Sequence, residues 1–276
     1  MQLLSSMISR ITFIFLALNM VAAPAFSKTT DVKVTSAVQS VRILVVGDSL
    51  SAEYGLKRGS GWVALLENRL AESVNWNEKP RKSSSSNSKI TTNNIAPQAI
   101  NSPVTAENGT KIAPNFTVIN ASISGDTTSG GRSRLAPLID MHHPTHVIIE
   151  LGANDALRGL PVAKTEENLT AMVQTALASK AKVLLVGIQI PPNYGAEFTK
   201  QFTATYPKVA KANHVGLVPF MLTGVADSPH FAKLFQADRI HPTEVAQLQI
   251  LNNIWPELQK QLKSASSSKA SKSTNH

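Results

Sequence analysis

The chain has 276 residues and no cysteine, so disulfides, thiolate catalysis and a lipidated cysteine anchor are all excluded. Stability outside a reducing compartment must then come from the apolar core. Aromatic residues are scarce at 5%, which removes the stacking platforms that single-stranded nucleic acid needs. Beyond the N-terminus no apolar run approaches the roughly 20 residues of a membrane span. What remains is ample for folding: with 42% hydrophobic residues the chain can bury one large core, and disorder throughout is excluded.

The N-terminus carries the lone Arg10, an apolar stretch from Ile11 to Ala23, and Ala25-Phe26-Ser27, which offers small residues at −3 and −1 of a cut after Ser27. That is the pattern of a secretory signal peptide over 1–27, followed by a linker over 28–40. Pro24 and the shortness of the run argue against a stable membrane anchor. A periplasmic or secreted protein is expected.

The formal charge of +9 suggests nucleic acid or anionic membranes until the charges are located. Arg10 accounts for 1 of it, the stretch 77–114 for 3 and the segment from Lys260 onward for 4, which leaves +1 for everything else. The folded part is near neutral, and no nucleic-acid partner is expected.

Strand-length apolar runs at Val41 to Val46, Phe116 to Asn120, His146 to Leu151, Lys182 to Ile188 and Gly216 to Phe220 alternate with helical periods. The helical stretches are Gly61 to Ser73, Arg132 to Ile139, Val162 to Ala178, Ala196 to Ala212 and Thr243 to Leu262. Such alternation implies crossover connections and a parallel sheet covered by helices on both faces, in one α/β domain over 41–262. Asn77 to Asn115, rich in Ser, Asn, Thr and Pro, reads as a flexible surface insertion, and 263–276 as a disordered basic tail.

The first apolar run breaks into Gly47-Asp48-Ser49-Leu50, placing a serine where ligands bind in open α/β sheets, beyond a strand's carboxyl end. A hydroxyl needs an imidazole to take its proton and a third group to fix that imidazole's tautomer. Asp238-Arg239-Ile240-His241-Pro242, before the last helix, can supply both. Acyl transfer also needs donors for an oxyanion. Gly125, in the segment after the second strand, can bring a bare N–H close to a ligand, and Asn154, after the third, can donate from its amide. Each feature alone has a plainer reading: Ser49 as a helix cap, Asp238 and His241 as a surface pair, Gly125 and Asn154 as turn residues. Asp48 reads as structural, accepting loop N–H bonds. Ser124 is a competing hydroxyl without a Gly-x-Ser-x-Gly context. His142, His143 and His146, with Pro144 among them, are not expected to converge on a metal.

Together, Gly47-Asp48-Ser49-Leu50-Ser51, Gly125, Gly152-Ala153-Asn154-Asp155 and Asp238-x-x-His241 resemble, in order, the four blocks of the GDSL or SGNH hydrolase family. Leu157-Arg158-Gly159, Pro192-Asn193-Tyr194-Gly195 and Tyr206-Pro207-Lys208 are similar to its bacterial thioesterase and lysophospholipase branch. The resemblance implies a flavodoxin-like three-layer sandwich on a five-stranded parallel sheet and catalysis by Ser49, Asp238 and His241. It also implies an oxyanion hole from Ser49 N–H, Gly125 N–H and the Asn154 side chain, with no cofactor or metal. In that branch the loop held here by Ala156, Leu157, Arg158, Gly159, Leu160 and Pro161 gates an acyl-binding crevice. The long insertion departs from the branch, which has a short connection there.

The expected activity is hydrolysis of small-molecule acyl esters and thioesters, among them lysophospholipids, acyl-CoA and aryl esters, by a monomer. Two rivals are a short-chain carbohydrate or aryl esterase with the same residues, and a non-catalytic envelope-binding protein using the basic insertion and tail.

Overall fold

A computed structural model describes residues 40–75, 104–105, 111–112 and 115–267. The expected signal peptide, nearly all of the linker, most of the insertion and residues 268–276 lie outside the described residues.

Five strands form one parallel sheet: β1 (Ser40–Gly47), β4 (Asn115–Asn120), β5 (His146–Glu150), β6 (Lys182–Val186) and β7 (Gly216–Val218), in the order β4-β1-β5-β6-β7. A second, two-stranded antiparallel sheet pairs β2 (Val104–Thr105) with β3 (Lys111–Ile112) inside the insertion. The expected boundary of that insertion shifts by one residue, because Asn115 already pairs with Ser40 in the main sheet. The main sheet is the flavodoxin-like doubly wound order, whose reversal point lies beside the first strand.

The burial pattern explains why the central strands read as unbroken apolar runs. Ile43, Leu44, Val45 and Val46 in β1 and every residue of β5 are buried, as in a parallel sheet covered on both faces. At the edge, β4 alternates between exposed and half-buried positions. Helices α1 (Trp62–Asn75) and α7 (Glu244–Ser267) pack together on one side; α2 (Thr128–His142), α4 (Val162–Ala178) and α5 (Ala196–Asn213) pack in sequence on the other. Among the described residues, no helix is long and apolar enough to cross a membrane.

Several boundaries differ from the sequence reading, each for a local reason. The β6 run was expected to continue to Ile188, yet the strand ends at Val186 while Ile188 and Ile190 stay buried, so hydropathy tracked burial beyond the ladder. Helix α2 begins at Thr128, four residues earlier than expected, because Gly130 and Gly131 mask its start. Gly131 is there for packing: a Cβ on it would lie 2.2 Å from Leu151 Cδ1. Helix α7 continues to Ser267, five residues into the expected tail. Short helices α3 (Ala153–Leu157) and α6 (Phe231–Leu234) are too brief to leave a period in the sequence.

Candidate active site

The register of the central strands assembles the site. Gly47 of β1 lies opposite Glu150 of β5, so the loops after these two strands emerge side by side. The ladder between β1 and β4 extends past the strand end through Ala121 N–H to Val45 O (2.9 Å) and Ile123 N–H to Gly47 O (3.0 Å), which brings the Ser122 to Gly125 segment alongside. Ser49 sits in the turn after β1, half-buried, its loop closed by Ser51 and Ala52 N–H groups donating to Asp48 O.

Ser49 Oγ is 2.8 Å from His241 Nε2, and His241 Nδ1 is 2.7 Å from Asp238 Oδ2. The second carboxylate oxygen, Asp238 Oδ1, accepts the N–H of Ile240 at 2.9 Å and of His241 at 3.0 Å. Burial pushes the Asp238 carboxyl up, but the His241 ring and the two backbone donors outweigh it and hold the group at about 2. The tight Asp-x-x-His turn is closed by Arg239 in the left-handed region (φ 58°) and pinned by Gln236 N–H to His241 O (2.8 Å) and an isolated bridge between Phe235 and Pro242. Tyr54 covers one face of the imidazole, with ring centroids 4.3 Å apart.

Gly125 adopts φ +80°, a conformation that favours glycine, and among the described residues neither its N–H nor that of Ser49 has an acceptor. The Asn154 amide donates to Asp126 O at 2.9 Å and to Asp48 Oδ2 at 3.2 Å. Gly152 precedes it at φ +125°, where a Cβ would meet Tyr206 Oη at 2.4 Å, so this glycine is required by both conformation and space. Of the six residues expected to form the crevice loop, Ala156 is buried and Leu157 half-buried, both inside α3. The loop proper is therefore shorter than expected, from Arg158 to Pro161, all exposed. Arg158 reaches back to donate to Gly125 O at 2.8 Å. Ser124 is exposed and, among the described residues, has no imidazole within hydrogen-bonding distance. The three clustered histidines go separate ways: His143 caps α2, His142 ends it, and His146 faces the core, where burial and the Lys182 charge lower it to about 4.

Beneath Ser49 lies a polar layer that sequence reading missed. Glu150 Oε2 accepts Ser51 Oγ–H at 2.6 Å and Asp48 N–H at 3.4 Å, and Trp62 Nε1–H donates to Ser51 Oγ at 3.2 Å. Burial, with Asp48 beside it, pushes the Glu150 carboxyl well above the usual range. Burial also lifts Asp48 to about 7, against the opposing Leu50 N–H bond. The available signal was an acid ending the apolar run His-Val-Ile-Ile-Glu, since a charge on a doubly covered strand must be neutral or partnered. For such groups the folded chain keeps protons that the unfolded chain releases above the ordinary carboxyl range. Stability should therefore fall as pH rises from about 4 through about 7. Glu150→Gln, which abolishes one of these ionisations, should flatten that fall and melt higher than the parent at neutral pH; thermal unfolding monitored across the range checks it.

Residues 102–247 match the model of the GDSL-like lipase/acylhydrolase family, a span that includes Gly125, Asn154, Asp238 and His241. The chain belongs to that family. It is 40% identical over 227 residues to the esterase TesA of Pseudomonas aeruginosa, covering 82% of this chain and 92% of that protein. It is 34% identical over 217 residues to the thioesterase 1/protease 1/lysophospholipase L1 of Escherichia coli K12, covering 79% of this chain and 83% of that one. Among solved structures, the psychrotrophic esterase EstA of Pseudoalteromonas, inhibited by monoethylphosphonate, shares 35% identity, with a TM-score of 0.62, 80% of this chain and 98% of that chain covered. This GDSL family member is thus an esterase or thioesterase, a hydrolase acting on ester-type bonds, on the three-layer α/β/α fold of the SGNH hydrolases.

Proposed function

We propose that the chain is an exported serine hydrolase that cleaves esters and thioesters of medium or long acyl chains through an acyl-enzyme on Ser49. The observation that carries this reading is the unbroken chain Ser49 Oγ, His241, Asp238, with links of 2.8 and 2.7 Å. His241 Nε2 takes the Ser49 proton as Oγ bonds to the acyl carbon, and the carbonyl π pair moves onto oxygen. The N–H groups of Ser49 and Gly125, with the Asn154 amide, meet the oxyanion. When the intermediate collapses, the bond to the leaving oxygen or sulfur breaks, and His241 returns its proton to that atom. Water then repeats the sequence, releasing the carboxylic acid and regenerating Ser49.

Exposed apolar side chains at the same end of the sheet support a lipid acyl chain: Ile123 after β4, Leu160 after α3 and Tyr194 after β6. The N-terminal pattern of Arg10, the apolar run and Ala25-Phe26-Ser27 supports export. Acyl-CoA is scarce outside the cytoplasm, which favours lysophospholipids and other envelope or exogenous esters as physiological substrates. Rates on nitrophenyl esters from acetate to palmitate are expected to peak at medium or long chains. A peak at acetate would favour the short-chain aryl or carbohydrate esterase reading.

A further inference from the structure

The Asn154 amide nitrogen has two acceptors within hydrogen-bonding distance, Asp126 O at 2.9 Å and Asp48 Oδ2 at 3.2 Å. These acceptors are chain neighbours of the other two donors invoked above, Asp126 following Gly125 and Asp48 preceding Ser49. One side-chain amide therefore ties together the three loops that leave β1, β4 and β5. The terminal torsion of an asparagine is soft, so one hydrogen bond alone does not fix which way its N–H groups point. Asp48 supplies the second point of attachment from a site that is 1% exposed.

We propose that Asp48 is a positioning residue for oxyanion stabilisation: its Oδ2 holds the Asn154 amide toward the nucleophile loop and shares that hydrogen with the oxyanion when it forms. The inference rests on Asn154 serving as an oxyanion donor. The two bond lengths fit the role, since the bond to Asp48 is the longer and the more readily shared. The bond to Asp126 keeps the amide in place meanwhile. The residue type fits as well. Asp48 Oδ1 accepts Leu50 N–H at 3.0 Å while Oδ2 faces Asn154, so both oxygens meet donors. Only a carboxylate offers two acceptors; an asparagine would have to turn its own NH2 against one of these N–H groups.

Protonation modulates the device. Burial raises Asp48 to about 7; the Leu50 N–H opposes this, the charges of Asp126 and Asp155 add to it, and the Asn154 bond opposes it again. The other titratable groups facing it are Glu150 of β5 and Tyr206 of α5, both buried. Above that value both oxygens accept fully, and below it the hold on Asn154 weakens.

A double-mutant cycle on turnover of a nitrophenyl octanoate separates this role from a structural one. Asp48→Asn is expected to lower kcat by about tenfold to a hundredfold, the span of one charge-assisted hydrogen bond, with KM essentially unchanged. In an Asn154→Ala background the same substitution should leave kcat essentially unchanged. An equal loss in both backgrounds, or an effect on KM alone, would overturn the proposal. Full kcat in Asn154→Ala would instead remove the oxyanion reading on which it depends. Should Asp48→Asn not fold, the parent protein supplies the test by NMR over about pH 5 to 9. The Asn154 side-chain amide protons should shift with the same midpoint as the Asp48 carboxyl carbon, and an amide that stays still would overturn the proposal.

Discussion

Ser49→Ala is expected to lower ester turnover by about 10⁶-fold while leaving the melting temperature close to that of the parent protein. The size follows from the absence of a substitute. Ser51, two residues on, is buried and commits its hydroxyl to Glu150 at 2.6 Å, and Ser124 has no imidazole beside it among the described residues. What survives is the stabilisation that oxyanion donors give to attack by water, on the order of 10³ to 10⁴ over solution. The turn itself does not need the hydroxyl. It is held by Ser51 and Ala52 N–H groups on Asp48 O and by Tyr54 N–H on Ser49 O at 3.3 Å, all backbone bonds that an alanine keeps. A large loss of kcat in a protein that unfolds at the parent temperature is the joint result to look for, by steady-state kinetics and calorimetry.

Asp238→Asn should reduce kcat by about 10⁴-fold, with a smaller effect on KM. The carboxylate has two tasks that the substitution separates. Its Oδ1 accepts the N–H groups of Ile240 and His241, and an asparagine carbonyl oxygen can keep both bonds, so the Asp-x-x-His turn survives. Its Oδ2 accepts from His241 Nδ1, and there the new NH2 group can only donate. The imidazole must answer by accepting at Nδ1, which moves its proton to Nε2 and faces a donor, rather than a base, toward Ser49. The depressed Asp238 ionisation, near 2, means that the native carboxylate stays charged throughout the working range. No pH near neutrality should rescue the variant. Crystals of Asp238→Asn with an unmoved turn but a longer or absent Ser49 contact would agree with this cause.

Much of the fold was legible because the doubly covered strands β1 and β5 leave the plainest trace a sequence can carry, continuous apolar runs broken by glycine. The four blocks were legible for a related reason: each falls where a strand or the last helix begins or ends, so spacing and chemistry coincide. What stayed hidden depends on distance in space rather than in sequence. Glu150 lies 102 residues from Asp48 along the chain, and nothing local announces that its carboxyl reaches the Asp48 backbone N–H. Helix α2 hid its first turn behind Gly130 and Gly131, where propensity argued against a helix and packing on Leu151 prevailed. The segment from Ala156 to Pro161 was read as one loop, yet Ala156 and Leu157 belong to a helix of only five residues, below the length at which periodicity speaks.

The nucleophile assignment is the claim on which every step of the proposed cycle depends. Treating the purified protein with a fluorophosphonate, then measuring intact mass and mapping the modified peptide, tests it most directly. A single adduct on the peptide bearing Gly47-Asp48-Ser49-Leu50, abolished in Ser49→Ala and formed far more slowly in Asp238→Asn, is the expected result. Labelling at Ser124 or any other hydroxyl, or an unlabelled protein that still hydrolyses esters, would contradict it.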